Sequence, residues 1–209
     1  MNPSALHEWT KPLKFQQSFC VVDSSLRLLW IGGDWDDFAR KNAGDGALAN
    51  VVLSTSLTAH ITDIRTADKV SQMIRAVLDT KKPLRMDYRC DSPDEMRRFR
   101  LTIQPMKDDR VVMVHDLRDA ILLEKPMQVW AFHPNARDHK CSMCGAVKES
   151  DDWVDPLESQ TPHPASVRYT ICEGCETRAD AAILATTTGD VPEDVLEVAI
   201  KAGLRLDQR

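Results

Sequence analysis

Four cysteines in the second half of the chain form two Cys-x-x-Cys pairs, Cys141 with Cys144 and Cys172 with Cys175. Each pair places two thiols on one tight turn, and four thiolates form a soft donor set that suits tetrahedral Zn²⁺. The 27 residues between the pairs exceed the usual spacing of about 15–20. The chain must therefore leave the site and return to it. We predict one structural zinc ion held by all four cysteines.

Two other interpretations of these cysteines remain open. Cys-x-x-Cys pairs also occur as redox-active dithiols and as disulfides. The presence of two such motifs favours zinc, because a pair of motifs is far more specific than a single one. His139 and His163 are spare ligands if one cysteine is not used.

The length and composition indicate an intracellular protein with a real core. The chain has 209 residues, of which 43% are apolar, which fits one domain of ordinary size with an appendage. It contains no apolar run of about 18 residues that could span a membrane. Residues 1–20 lack the apolar core of a secretion signal. Six cysteines, four of them in metal spacing, fit a reducing compartment, so we expect a cytoplasmic protein that does not bind membranes.

Charge is distributed unevenly between the two halves. Residues 1–125 carry 19 Lys and Arg against 18 Asp and Glu, whereas residues 126–209 carry 8 against 14, a net charge of −6. A zinc module that binds DNA phosphates needs the opposite sign. The sequence therefore argues against nucleic-acid binding by the cysteine-bearing half.

The first half alternates between strand and helix patterns. Residues 15–22 predict a first strand, and Leu26, Leu28 and Trp30 predict one face of a second. Asp34 is a plausible N-cap for a short helix. Short helical turns then follow as far as Ile61.

A long helix and three more strands complete this half. Residues 66–80 predict a helix with one apolar stripe, formed by Val70, Met73, Ile74, Val77 and Leu78. Alternating apolar residues predict strands over 84–90 and 99–103, and residues 111–115 form the most apolar strand. The order is two strands, small helices, a long helix and three strands.

This order resembles the PAS fold, and several sequence motifs resemble a group of small bacterial PAS-type proteins without a defined function. The motifs are Trp35-x-x-Phe38-Ala39-x-x-Asn42, Leu57-Thr58-Ala59-His60-Ile61, Tyr88-Arg89-Cys90-Asp91-Ser92-Pro93, Arg97-Arg98-Phe99 and Ile103-x-Pro105. In that group a module with two Cys-x-x-Cys pairs follows the PAS-like domain, as it does here. The chain departs from the group at Tyr169-Thr170, where the similar proteins have His-Gly, and at Thr58 and His60, where they have aromatic residues.

The resemblance, over about residues 15–178, implies an α+β fold. We expect an N-terminal arm over 1–14 and a PAS-like domain over 15–117, with a five-stranded antiparallel sheet and a helical crossover. A linker with a short helix then covers 118–140. A zinc-binding module with a C-terminal helix near 192–203 covers 141–209. The resemblance also implies a sensory or signalling role.

PAS-like domains enclose a cavity between the sheet and the helices. His60 and Tyr88 are the candidate polar groups of this cavity. Residues 48–63 contain no cysteine for a flavin adduct, and His60 alone is a weak signal for haem. We therefore expect neither cofactor. The many large inward side chains favour a filled core over an open pocket, and we expect His115 at a strand end near solvent.

Two surface features bear on partners. A short helix is predicted over 117–125, ahead of an apolar linker. The basic residues between 81 and 100 either form ion pairs on a solvated sheet face or bind an acidic partner. That partner could be another protein, the acidic half of this chain, or a second copy in a homodimer.

No catalytic motif is present, because the sequence has no nucleophile elbow, phosphate-binding glycine loop or His-carboxylate metal motif. We therefore expect a non-enzymatic protein. The first hypothesis is a sensory or adaptor protein, in which the PAS-like domain binds a small ligand or a protein and the zinc is structural. The second is a thiol-based redox or zinc switch. The third and weakest is a transcription regulator that binds DNA.

Overall fold

The computed structural model describes residues 16–127, 130–159 and 166–188. In these ranges, the first region of the chain contains β1 (Gln17–Asp23), β2 (Leu28–Gly33), α1 (Trp35–Lys41), α2 (Ala49–Val52), α3 (Ile64–Thr80), β3 (Leu84–Arg89), β4 (Glu95–Met106) and β5 (Arg110–Leu122). Single 3₁₀ turns cover Asp45–Ala47 and Leu57–His60. The second region contains β6 (Ala131–Phe132), β7 (His139–Cys141), β8 (Val147–Glu149), β9 (Asp152–Val154), β10 (Ser166–Thr170) and α4 (Glu173–Thr188).

The first five strands form one antiparallel sheet in the order β2-β1-β5-β4-β3. Helices α1, α2 and α3 connect β2 to β3, which are the two edge strands. This arrangement confirms the predicted α+β fold with a five-stranded antiparallel sheet and a helical crossover.

Helix α3 has clear start and stop signals. The Asp63 carboxylate accepts a hydrogen bond of 2.8 Å from the Thr66 amide, which caps the helix two residues before the predicted start. At the other end Lys81 has a left-handed backbone with φ 54°, and Pro83 prevents further helix. The predicted apolar stripe packs into the core, where Ile74 and Val77 are fully buried.

The side chains of strand β2 do not all lie on the side of the sheet that the sequence predicted. Leu28 is buried, but Trp30 is 53% exposed, so the two do not share a face. The register between β1 and β2 shifts at Val21 and Val22, which pair with Trp30 and Leu28 respectively. The extra residue, Leu29, is a bulge that turns the following side chain to the other side of the sheet.

Strand β5 replaces the predicted short helix over 117–125. It continues as far as Leu122, where it pairs with Glu95 at the start of β4. The helix prediction is therefore wrong. The neighbouring apolar residues Ile121 and Leu122 suggested a helix, but the backbone of β4 supplies a ladder of hydrogen bonds that the local pattern does not reveal.

The second region forms another five-stranded sheet, in the order β6-β10-β7-β8-β9. Strand β10 runs parallel to both β6 and β7, and helix α4 packs on α3 and β3. Buried residues of both regions belong to one continuous core, which joins Ile74 and Leu101 to Met143, Ile171 and Ala179. The cysteine-bearing region is therefore packed onto the first sheet and helix α3.

Helix α4 was not predicted, because the Cys-x-x-Cys motif and Gly174 suggested a turn. A signal for it was present, since residues 175–188 contain no glycine or proline and are rich in alanine. The predicted arm over 1–14 and the predicted helix near 192–203 lie outside the described residues.

Candidate functional site

The parallel pairing of β7 and β10 brings the two cysteine turns together. Cys141 ends β7 and is paired with Thr170 at the end of β10, so the chain leaves both strands at the same edge. Cys144 follows on the turn after β7. Cys172 immediately precedes α4, and Cys175 lies in its first turn. All four sulfur atoms lie within 4.8 Å of one another.

This cluster has the dimensions of a metal site. A tetrahedron with zinc–sulfur bonds of 2.3 Å has sulfur–sulfur edges of about 3.8 Å. The Sγ atoms of Cys144 and Cys172 lie 3.8 Å apart. Four cysteine sulfurs at this spacing are close enough to hold one metal ion, and the donor set is consistent with zinc.

Backbone amides and a guanidinium surround the sulfurs. The amides of Met143 and Cys172 each donate to Cys141 Sγ over 3.4 Å, and the Cys175 amide donates to Cys172 Sγ over the same distance. Arg178 Nη2 donates to Cys175 Sγ over 2.9 Å. These donors favour thiolates, which are the form that binds metal.

The thiols also act on one another. Hydrogen bonds from Cys144 and Cys175, together with the backbone amides, lower the pKa of Cys141. The same contact with Cys141 raises the pKa of Cys144 to about 12. Cys141 is the sulfur that accepts hydrogen bonds from two backbone amides.

The two spare histidine ligands do not join this cluster. His139 lies on β7, and the cluster of potential ligands within the described ranges contains four cysteines and no histidine. His163 lies outside the described residues. Trp153 packs against the same core as Cys144, and its Nε1 donates a hydrogen bond of 2.6 Å to Glu173 Oε2.

A pocket of about 360 Å³, the interior cavity, lies between the first sheet and the helices and opens partly to solvent. Several of its lining side chains, among them Met73, Leu101 and Met113, are buried in the continuous core, so large inward side chains pack together beside this space. Two polar side chains on the sheet lie on its wall, Tyr88 and His115, and their Oη and Nδ1 atoms are 2.9 Å apart. Most of the remaining wall is apolar and includes Leu57, Ile61, Met73, Met86, Leu101 and Met113.

The candidate polar groups occupy different positions in this cavity. Tyr88 lies on the inner wall, whereas His60 is an exposed residue at the edge of the cavity. His60 Nε2 lies 2.6 Å from Thr55 Oγ1. His115 was predicted to lie at a strand end near solvent, and this prediction is wrong. Strand β5 continues past the residue, and its ring faces the cavity. Burial lowers the pKa of His115 to about 4 and raises that of Tyr88 well above its usual value.

The metal turn itself closes one end of the cavity. Ser142 and Met143, the two residues between the first pair of cysteines, are part of the cavity wall. The Met143 carbonyl accepts a hydrogen bond of 2.7 Å from the Arg89 amide, which attaches the turn to the end of β3. The sequence did not reveal this contact, since no pattern in a Cys-x-x-Cys motif indicates what its middle residues contact.

The acidic second region forms ion pairs with cations of the first. Part of the basic surface therefore binds acids within the same chain, one of the alternatives drawn from the sequence. The contacts are Arg89 with Asp155, Lys69 with Asp180 at 2.7 Å and Arg65 with Glu176 at 2.8 Å. The outer strands also form pairs of their own, Arg98 with Asp119 and Arg100 with Asp87.

Among the described helices, none combines the length and the apolar character needed to cross a membrane.

Comparisons with known proteins give little guidance on function. No protein family matches the chain, and no curated protein is significantly similar to it. Among solved structures, a domain of an HTR-like protein from Haloarcula marismortui is similar to 49% of this chain and 98% of that chain, with 14% sequence identity and a TM-score of 0.36. Function has to be inferred from the cysteine cluster and the cavity.

Proposed function

We propose that this protein is a cytoplasmic sensory or adaptor protein, in which a PAS-like domain binds a small molecule in its interior cavity. The observation that supports this most directly is the cavity of about 360 Å³ with the Tyr88–His115 pair on its wall. Ligand sites have volumes of about 300–1,000 Å³ and combine apolar walls with a few polar groups. The cavity has both properties.

The cysteine cluster has a structural role in this proposal. Zinc bound by four thiolates has no open coordination position for a substrate or an activated water. The protein is accordingly a non-enzymatic one, and its zinc holds the turn that carries Ser142 and Met143 against the cavity. A ligand that contacts these two residues would change the position of the turn and thereby signal its presence to the second region.

The output is proposed to be a contact with another protein, including a second copy of this chain. The net charge of −6 over residues 126–209 opposes binding to nucleic-acid phosphates. Ion pairs between the two regions, such as Lys69 with Asp180, provide contacts that a change in the cavity could alter.

A small-molecule screen tests the cavity directly. Melting temperatures are measured for the wild type, His115→Leu and His133→Leu across a panel of metabolites. His133 is exposed and outside the cavity wall, which makes it a matched control. The proposal predicts a compound that stabilises the wild type and His133→Leu but not His115→Leu. A panel that shifts all three proteins equally, or none of them, contradicts it.

A thiol-based redox or zinc switch is the second candidate, and the exposure of Cys144 favours it. Cys144 is half-buried, whereas Cys141, Cys172 and Cys175 are buried. Its Sγ lies 3.8 Å from that of Cys172, so these two cysteines are one pair that can form a disulfide. Mild peroxide should then release zinc and form a Cys144–Cys172 disulfide that a dithiol reverses. A purely structural site keeps its zinc until the fold itself fails.

A further inference from the structure

A second concave surface lies outside the interior cavity, between the β3–β4 hairpin and the second region. This groove has a volume of about 500 Å³ and is open to solvent. Cys90, Asp91 and Pro93 of the hairpin form one side. Trp130 and Tyr169 of the second region form part of the other. The groove therefore exists only where the two regions are packed together.

Lys140 lies in this groove as a largely buried cation. The residue is 9% exposed, and its Nζ lies 4.6 Å from the centre of the Trp130 ring. Within residues 16–127, 130–159 and 166–188, Nζ makes no hydrogen bond and no ion pair. A lysine is rarely buried to this extent unless its charge is paired. The ring compensates for part of the lost hydration but supplies no acceptor.

The carboxylate that lines the groove already accepts hydrogen bonds from other residues. Asp91 lines the same groove, but its Oδ2 accepts a hydrogen bond of 2.6 Å from Arg89 and its Oδ1 accepts one of 2.9 Å from the Arg97 amide. Arg89 is paired with both Asp91 and Asp155. Lys140 and Lys41 are therefore the cations of the groove that make no ion pair among the described residues. Cys141 of the four-sulfur cluster also lines the groove.

The walls beside these cations are apolar and aromatic. Trp130, Tyr169, Met127 and Pro93 all contribute surface to the groove. A bare inorganic anion would leave these side chains unused, whereas an anion with an apolar body would contact both kinds of surface. The combination matches a small amphipathic anion.

We propose that this groove is a binding site for a small organic anion, which places a carboxylate or phosphate group on Lys140 Nζ and an apolar body against Trp130 and Tyr169. The anion supplies the charged acceptor that the ammonium lacks. The groove and the interior cavity are different spaces that share Ser142 in their walls, and the proposal does not depend on the sensory function proposed above.

Fluorine NMR of the full chain with three small aromatic probes tests the proposal. The probes are 4-fluorobenzoate, 4-fluorophenyl phosphate and the neutral 4-fluorobenzamide. At least one of the two anions should bind saturably and about tenfold more tightly than the amide. The stronger of the two anions identifies the ligand as a carboxylate or a phosphate. If neither anion binds more tightly than the amide, the proposal is wrong.

Two lysine variants assign the binding to the groove. Lys140→Met keeps the length of the side chain and removes its charge, so it should lose the preference for the anion. Lys148→Met is the matched control, because Lys148 Nζ also lies over a tryptophan, 5.8 Å from the Trp153 ring centre, but outside the groove. Equal affinity in wild type and Lys140→Met overturns the proposal. If Lys140→Met does not fold, Lys140→Gln at the same position and the comparison of probes on the wild type decide the question.

Discussion

The hydroxyl oxygen of Tyr88 and Nδ1 of His115 lie 2.9 Å apart on the wall of the interior cavity. The two residues belong to β3 and β5, which are separated by β4 in the sheet. Tyr88 bridges the gap by stacking on Phe99 of the middle strand, with ring centres 5.5 Å apart. The side chains thus meet across an intervening strand, where both rings are largely withdrawn from bulk water.

This burial makes the stability of the fold depend on pH. The pKa of His115 falls from 6.5 to about 4 in the folded protein, so the unfolded chain binds the proton more readily between these values. The stabilisation from the neutral ring is complete above pH 6.5 and is lost as the pH falls toward 4. At pH 5 the loss should be about 2 kcal/mol in the free energy of unfolding.

Urea denaturation of the wild type and His115→Gln between pH 7.5 and 4.5 measures this effect. The variant lacks the titrating group, so the difference between the two proteins isolates His115 from metal loss, which acid causes in both. The difference in free energy of unfolding should shrink by about 2 kcal/mol from pH 7.5 to pH 5. A difference that is independent of pH would show that His115 titrates normally in the folded state.

Removal of one cysteine from the cluster should release the metal. Cys172→Ser replaces a thiolate by a hydroxyl that is a poor zinc ligand, so the stoichiometry should fall from one zinc per chain to well below one. Cys90→Ser is the matched control, because Cys90 is a cysteine outside the four-sulfur cluster. Elemental analysis of the purified proteins provides the measurement. Unchanged zinc in Cys172→Ser, or no zinc in the wild type, would contradict the predicted site.

The correct predictions from the sequence concern features that short local patterns specify. The stripe of helix α3 repeats at helical spacing and packs as expected, with Met73 and Ile74 buried. The two Cys-x-x-Cys pairs need only a tight turn each, and β7 and β10 bring both turns to one place. In both cases the pattern that allowed the prediction spans only a few residues, although the two cysteine turns meet through the long-range pairing of β7 with β10.

The errors occur where a distant part of the chain decides the outcome. Leu122 belongs to a strand because Glu95 lies beside it, and His115 faces inward because its strand continues past it. Met143 reaches the cavity because the second region packs onto the first. A single sequence does not show these long-range contacts, so neither the closed end of the cavity nor the groove at Lys140 could be predicted.

The ion pair between α3 and α4 should contribute measurably to stability. The Lys69 side chain is 8% exposed, whereas its partner Asp180 is 57% exposed. Asp180→Asn leaves Glu176, at 3.9 Å, as the remaining carboxylate beside the buried ammonium. The substitution should cost about 1 kcal/mol, after allowance for the solvent around Asp180. Asp109→Asn is the control, because its partner Lys81 is 55% exposed and the loss should be smaller. Equal losses in the two variants would show that the burial of Lys69 adds nothing.

Substitution of Met143 tests the metal-binding and packing roles of the Cys141–Cys144 turn separately. The residue lies between two metal-site cysteines and also forms part of the cavity wall. The residue is 7% exposed, so Met143→Ala should lower the free energy of unfolding by about 2–5 kcal/mol. Met143→Leu, which conserves volume, should cost less than about 1.5 kcal/mol. Both variants keep all four cysteines and should retain one zinc per chain. Denaturation curves and zinc analysis of the same samples measure the two roles together. Loss of zinc in Met143→Ala would mean that the packing of the turn on the cavity, and not the thiolates alone, maintains the metal site.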